Sequence, residues 1–144
     1  GPDPLRADGK AAPFVVRAGH SRAPIAGLLM DQSVVAGVGN VFRAEALYRA
    51  RLDPYRSGRD VGDDALLALW TDLRILLRAG VRSGRIVTTR PADRDHGGRV
   101  TRDQAHYVYR RAGLPCRVCG TEVRTAVLAG RNLFWCPVCQ SPAE

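Results

Sequence analysis

Residues 116–140 read CRVCGTEVRTAVLAGRNLFWCPVCQ. They hold all four cysteines of the chain, as two C-x-x-C pairs, Cys116/Cys119 and Cys136/Cys139, with sixteen residues between the pairs. Two residues between thiolates let one tight turn aim both sulfurs at a single ion, and a second such turn completes a tetrahedral shell. A closed shell holds structure and leaves no position open for Lewis-acid chemistry. Gly120 and Pro137 are turn residues within or beside the two knuckles. The alternatives are two disulfides or a redox dithiol. A redox dithiol needs no second matched pair, and disulfides need an oxidising compartment, toward which no signal-peptide pattern points. The spacing therefore predicts one structural Zn²⁺ held by Cys116, Cys119, Cys136 and Cys139. Between the pairs, two β-prone runs flank Ala129-Gly130-Arg131-Asn132, which reads as a hairpin turn. Phe134 and Trp135 are expected to pack beside the metal, where little other core is available.

Working outward, the 144 residues suffice for one or two small domains, and 45% hydrophobic content provides for a core. No apolar run approaches the length of a membrane span. The formal charge is +8, and 21 of the 22 basic residues are Arg. Residues 1–81 carry 11 basic and 9 acidic side chains, whereas residues 82–144 carry 11 and 5. Guanidinium meets phosphate bidentately, which ammonium cannot do. A basic half that includes a zinc knuckle points to nucleic acid. A merely solvated basic surface is the competing account of the same charge.

Upstream, GPDPLRADGKAAPF (1–14) has three prolines and no apolar period, and reads as a linker or extended lead-in. SRAPIAGLLMDQ (21–32) starts a helix with Ser21 as N-cap, and VFRAEALYRARL (41–52) is helical until Pro54. DDALLALWTDLRILLRAGVRSG (63–84) carries the strongest pattern. Leu66, Leu69, Trp70, Leu73, Leu76 and Leu77 form one apolar stripe, Asp63 lies near the start, and Gly80 to Gly84 mark the end. RIVTTRPADRDHGGRV (85–100) reads as a polar loop. Thr101 and Gln104 stand at capping-box spacing before a short helix.

The loop VVAGVGN (34–40) has its own logic. Gly37 and Gly39 permit positive φ and close approach of backbone to a ligand, and Asn40 falls where an N-cap belongs. The stretch lacks the Gly-Lys-Ser/Thr of a P-loop and the third glycine of a dinucleotide fingerprint, which argues against a nucleotide cofactor. Two readings stay open: a phosphate site at a helix start, and a plain capped turn.

LLMDQSVVAGVGNVFRAEALYRARLDPYR (28–56), followed by YVYRRAGLPCRVCG (107–120) and AGRNLFWCPVCQ (129–140), resembles the C-terminal part of the formamidopyrimidine-DNA glycosylase/endonuclease VIII family, and is closer to the endonuclease VIII-like branch. The resemblance covers nearly the whole chain. It implies a mainly α fold, a helix-two-turn-helix bundle followed by a small β-hairpin zinc finger. The implied division is 1–19 as linker from a missing N-terminal catalytic β-sandwich domain, 20–105 as the DNA-binding helical domain and 106–144 as the four-cysteine zinc finger. The implied function is the DNA-binding portion of a base-excision repair glycosylase and abasic-site lyase acting on damaged, oxidised bases. Its partner would be double-stranded DNA containing a damaged base or abasic site. It would work as a monomer, without a membrane, in a bacterial-type cytoplasm associated with the nucleoid. Asn40, in the Gly37/Gly39 loop, and Arg131 would hold the phosphates flanking a flipped-out nucleotide, with Arg131 in a supporting catalytic role. The family's proline nucleophile and its adjacent glutamate belong to a domain that these 144 residues do not match. The chain alone is therefore expected to be inactive. Pro2-Asp3 would imitate proline–glutamate only if Gly1 were removed, and their match to the linker explains them without that. A stand-alone zinc-containing nucleic-acid-binding module is the alternative.

For Glu45, two readings stand side by side: an exposed helical carboxylate, and, as the resemblance implies, a brace for the glycine loop. His20, His96 and His106 share no motif and are not expected to ligate metal. Trp70 is read as core. Arg85, Arg90, Arg94, Arg99 and Arg102 would be either a damage-capping, backbone-tracking loop or a solvated one.

Overall fold

The architecture follows from two apolar clusters that share one helix. A computed structural model describes residues 1–141; the last three residues of the expected zinc segment, 142–144, lie outside the described residues. The helices are α1 (Ala11–Gly19), α2 (Ile25–Met30), α3 (Asn40–Arg49), α4 (Gly58–Val61) and α5 (Asp63–Ser83). Two 3-10 turns, Pro91–Asp93 and Arg102–Gln104, follow, and then an antiparallel hairpin of β1 (Arg124–Leu128) and β2 (Arg131–Trp135). The mainly α fold with a terminal β-hairpin is as the sequence predicts. Among the described residues no helix is long and apolar enough to cross a membrane.

The Leu-rich stripe of α5 buries Leu66, Leu69, Trp70, Leu73, Leu76 and Leu77, and the helix ends on Gly84 in the left-handed conformation, as expected. It packs against α1, with Phe14 fully buried and its ring 5.8 Å from that of Trp70. The expectation of an extended lead-in through residue 14 is corrected here. Ala11–Gly19 is a helix, because Phe14 and Ala18 lie four apart and share one buried face. Each fully buried Phe or Leu contributes about 1.5–3 kcal/mol, which offsets the missing side-chain cap and Pro13 inside the first turn.

Two further boundaries move. Ser21 does not cap α2; it accepts from the Ala23 N–H, and the helix starts after Pro24, whose fixed φ of −56° leads into Ile25. α3 ends at Arg49, short of Pro54, because Arg51 turns left-handed (φ 59°) and the Leu52 N–H reaches back to the Leu47 carbonyl. The capping box at Thr101 and Gln104 forms, but only one 3-10 turn follows it. The reason is a partner from far along the chain. The N–H groups of Tyr107, Val108 and Tyr109 are taken by a side chain of α3 and cannot enter a helical ladder.

α3 lies between the clusters. Ala46 and Leu47 join Phe14, Leu29, Leu69 and Leu133 in the larger one. Ala44 and Tyr48 join Tyr107, Val108, Val123 and Phe134 in the smaller, beside Cys116 and Cys136. Trp70 is core, as read from its stripe. Phe134 packs by the cysteines, and Trp135 packs against the larger cluster with its ring 5.5 Å from Tyr55.

Candidate nucleic-acid interface and metal centre

The four cysteines converge. Their sulfurs all lie within 4.8 Å of one another, with Cys119–Cys136 at 3.5 Å and Cys116–Cys139 at 3.9 Å. A regular tetrahedron with Zn–S of about 2.3 Å places sulfurs about 3.8 Å apart, so the residues fit the ion. Burial pushes the Cys136 thiol up to about 12, while the Thr121 hydroxyl and backbone pull the Cys119 thiol down to about 6. A divalent cation between them turns all four into thiolates and removes that disparity. Gln140, 1% exposed, accepts from the Cys136 N–H and donates to the Leu52 carbonyl, which fastens the second knuckle to the end of α3.

The hairpin turn is tighter than the four-residue reading. Leu128 pairs with Arg131, so the loop is Ala129-Gly130 alone. Both residues have positive φ, 55° and 75°, as a two-residue loop matched to strand twist requires. Arg131 thus opens β2 instead of standing in the turn. Its side chain is exposed and has no ion pair among the described residues.

Asn40 is brought to this turn from 92 residues away. It is not an N-cap; α3 starts on it, and Gly39 is the capping position. Its amide nitrogen donates to the Asn132 carbonyl at 2.8 Å, and its amide oxygen accepts from Arg43 at 2.6 Å. Arg43, fully buried, also donates to the carbonyls of Leu128 (2.8 Å) and Arg131 (3.3 Å), the two residues that close the turn. The guanidinium therefore fixes the hairpin to the first turn of α3. Among the described residues no carboxylate pairs with it, and its Nε has no partner. Burial, and then the charge of Arg131, hold its pKa below the ordinary value.

Gly37 alone takes positive φ (83°), and its N–H is held by Gln32. Gly39 is extended at φ −92°, which corrects the expectation of positive φ there. A Cβ built on Gly39 would meet open space. The N–H groups of Asn40, Val41 and Phe42 donate to no protein acceptor among the described residues. Free first-turn amides, an exposed arginine and an uncompensated buried cation make this corner strongly electropositive.

Glu45 is neither exposed nor a brace of the glycine loop. It is fully buried, takes the hydroxyl of Thr88, and accepts from the N–H groups of Tyr107 (2.5 Å), Val108 (2.9 Å) and Tyr109 (3.1 Å). The arginine loop is ordered in part by its own members. Arg94 turns inward onto Thr89, Arg85 holds the Val100 carbonyl, and Arg90, Arg99 and Arg102 remain exposed. Of the histidines, His106 donates from Nε2 to the Ile86 carbonyl, 3.1 Å away, and burial lowers its pKa.

Sequence reasoning missed Arg43 and Tyr48. A signal for Arg43 existed: it stands three and four residues before Ala46 and Leu47, in line with the apolar face of α3.

Residues 1–91 match the model of the formamidopyrimidine-DNA glycosylase H2TH domain, and residues 113–142 that of the zinc finger found in FPG and IleRS. The chain is 53% identical over 143 residues to "Endonuclease 8 1" of Mycobacterium tuberculosis, covering 98% of this chain and 53% of that protein. It is 40% identical to the formamidopyrimidine-DNA glycosylase of Thermus thermophilus, covering 97% of this chain and 53% of that one. The chain thus spans about half the length of these relatives. Among solved structures it resembles the MutM (Fpg) protein of Thermus thermophilus, with TM-score 0.79 and 38% identity over 100% of this chain and 55% of that one. It also resembles Lactococcus lactis Fpg in complex with abasic-site DNA, with TM-score 0.78 and 26% identity over 99% and 52%.

Proposed function

The chain belongs to the formamidopyrimidine-DNA glycosylase H2TH family, and from that premise we propose that it is the DNA-binding portion of a base-excision repair glycosylase and abasic-site lyase acting on double-stranded DNA with a damaged base or abasic site. The observation that carries this reading is the docking of the hairpin turn onto α3 by Arg43 and Asn40. It sets Arg131 beside the open amides of the first turn of α3.

Two phosphates flanking one nucleotide require two cationic or N–H-bearing sites at fixed separation. The α3 start with Gly37, Gly39 and Asn40 supplies one, and Arg131 on a rigid strand supplies the other. Asn40 serves first as the strut that holds Arg131 in place, since both of its polar ends are engaged within the protein. Gripping both phosphates favours an extruded nucleotide, which duplex stacking otherwise disfavours by a few kcal/mol. Arg131 supports catalysis by this positioning. The 144 residues alone are proposed to bind without cleaving, since the family models they match are those of the H2TH domain and the zinc finger. The zinc centre supplies structure only. The domain is proposed to act as a monomer, in a bacterial cytoplasm.

The test is Arg131→Ala. One lost phosphate contact makes the slope of log affinity against log salt shallower by about 0.9. Loss of a charge-assisted bond weakens abasic-site binding roughly tenfold to a hundredfold. Flanking sequence should matter little, because phosphate contacts read no bases. An unchanged slope would remove Arg131 from the interface. Equal wild-type affinity for intact and abasic-site duplex would make the chain a general nucleic-acid module instead.

A further inference from the structure

Tyr48 is the one side chain outside the knuckles that reaches the sulfurs from α3. Its hydroxyl lies 3.2 Å from Cys116 Sγ and 3.7 Å from Cys139 Sγ. The ring is 1% exposed and stacks on Tyr107, with centroids 4.5 Å apart and planes 25° apart. The Arg51 guanidinium lies 4.8 Å from the ring centroid. Arg51 holds a left-handed backbone, φ 59°, where glycine is the unstrained choice. Arginine at this helix end places a cation over the ring whose hydroxyl meets the sulfurs.

We infer that Tyr48 is an outer-shell hydrogen-bond donor to the metal-bound Cys116 and Cys139 thiolates, with Arg51 compensating their charge, and that this pair sets the metal affinity of the site. Four thiolates around Zn²⁺ carry a net charge of −2. Thiolate sulfur has no proton to give, so in the metal-bound state the phenol is the donor, its single O–H directed at the nearer Cys116 Sγ and shared with Cys139 Sγ. Phenol is protonated at neutral pH, which keeps that donor present. Hydrogen bonding drains charge from sulfur and stabilises the thiolate against protonation and loss of the ion. Outer-shell donors of this kind typically change metal affinity by about tenfold to a hundredfold. The pair also ties metal occupancy to α3. The same helix carries Asn40 and Arg43, which hold the hairpin at its other end.

The experiment is Tyr48→Phe in the full chain, which keeps the ring and its packing and removes only the hydroxyl. Zinc affinity is measured by competition with a chromogenic chelator, and the Co²⁺-substituted protein by its sulfur-to-cobalt charge-transfer absorption. Expected are roughly tenfold weaker zinc binding and a shift of the charge-transfer band to longer wavelength, since sulfur without the hydrogen bond is the better electron donor. Tyr107→Phe is the control. It alters the stacked neighbour, whose hydroxyl pairs with Asp93, and should leave the band in place. Arg51→Gly removes the cation and the backbone strain together, and should weaken zinc binding by up to about fivefold, the range of an exposed charge interaction, without lowering the melting temperature at saturating zinc. A Tyr48→Phe protein with an unmoved band and a zinc dissociation constant within twofold of wild type would overturn the inference and leave Tyr48 as core alone. If Tyr48→Phe and Tyr107→Phe shift the band equally, ring packing is responsible and the inference fails likewise.

Discussion

Replacing Glu45 should be among the most damaging single changes outside the metal shell. The carboxylate is fully buried on α3 and receives four donors: the Thr88 hydroxyl and the N–H groups of Tyr107, Val108 and Tyr109. In Glu45→Ala the Thr88 hydroxyl retains the Ala105 carbonyl at 3.2 Å, but three backbone N–H groups lose their acceptor. A buried orphaned donor costs about 1–3 kcal/mol, and water entering the vacated volume recovers part of that. A loss of about 3–5 kcal/mol follows, roughly a fifth or more of the stability of an ordinary small domain. Glu45→Gln is the sharper variant. It keeps the shape, replaces one accepting oxygen with a donating NH₂ that must face donors, and should cost about 2–3 kcal/mol. Urea unfolding of the zinc-loaded protein, followed by tryptophan fluorescence, measures both. Amide exchange at residues 107–109 should accelerate selectively. A Glu45→Gln protein within about 0.5 kcal/mol of wild type, the range of an ordinary surface change, would refute the bracing role assigned to this carboxylate.

Two further outcomes follow from the same contacts. Chelation of zinc should unfold the hairpin while α5 keeps its helical signal, because the α5 stripe packs on α1 in the larger cluster, to which the hairpin adds Leu133 with Leu128 and Trp135 at its edge, whereas Cys116, Cys136 and Cys139 belong to the smaller one; loss of helix in step with hairpin under circular dichroism and NMR would show one cooperative unit. Asn40→Asp retains an acceptor for Arg43 but loses the donor to Asn132 and sets a negative charge beside the phosphate site; DNA affinity should fall more than tenfold with a melting temperature within a few degrees of wild type, and an unaltered affinity would exclude this corner from the interface.

Much of the fold was legible because it rests on strong periodic signals. The α5 stripe and the C-x-x-C spacing each specify one geometry, and the structure forms both. What failed to show was whatever depended on a distant partner. α1 has no side-chain cap and carries Pro13 at its third position, so its apolar face reads as helix only once Phe14 finds Trp70 more than fifty residues on. The Thr101–Gln104 box nucleates a turn that cannot extend, because Glu45 has taken the next N–H groups. The metal ligands were legible as a set, whereas the parts of the candidate interface were legible only one by one. Asn40 and Arg131 come from the resemblance, and their meeting depends on Arg43, a charge that reads locally as an exposed helical residue. Its alignment with Ala46 and Leu47 was the available sign of burial.

The charges at that corner carry a consequence for stability. Arg43 is buried with only oxygen dipoles for company, and the charge of Arg131 acts on it unfavourably. Two like charges held together by a rigid turn destabilise the free protein, and an anion bound between the turn and α3 would relieve both. Removing Arg131 should therefore act with opposite signs on two measurements. The melting temperature of the DNA-free protein should hold or rise slightly, since the side chain is exposed and such changes stay within about 0.5 kcal/mol. Affinity for abasic-site duplex should fall roughly tenfold to a hundredfold. A further arm separates this from generic screening: inorganic phosphate or sulfate should raise the melting temperature of wild type more than that of Arg131→Ala, at equal ionic strength with chloride as reference. Equal shifts in the two proteins would show that the anion acts elsewhere, and a clear loss of stability in Arg131→Ala would show that the arginine is part of the scaffold instead of a cation held ready for phosphate.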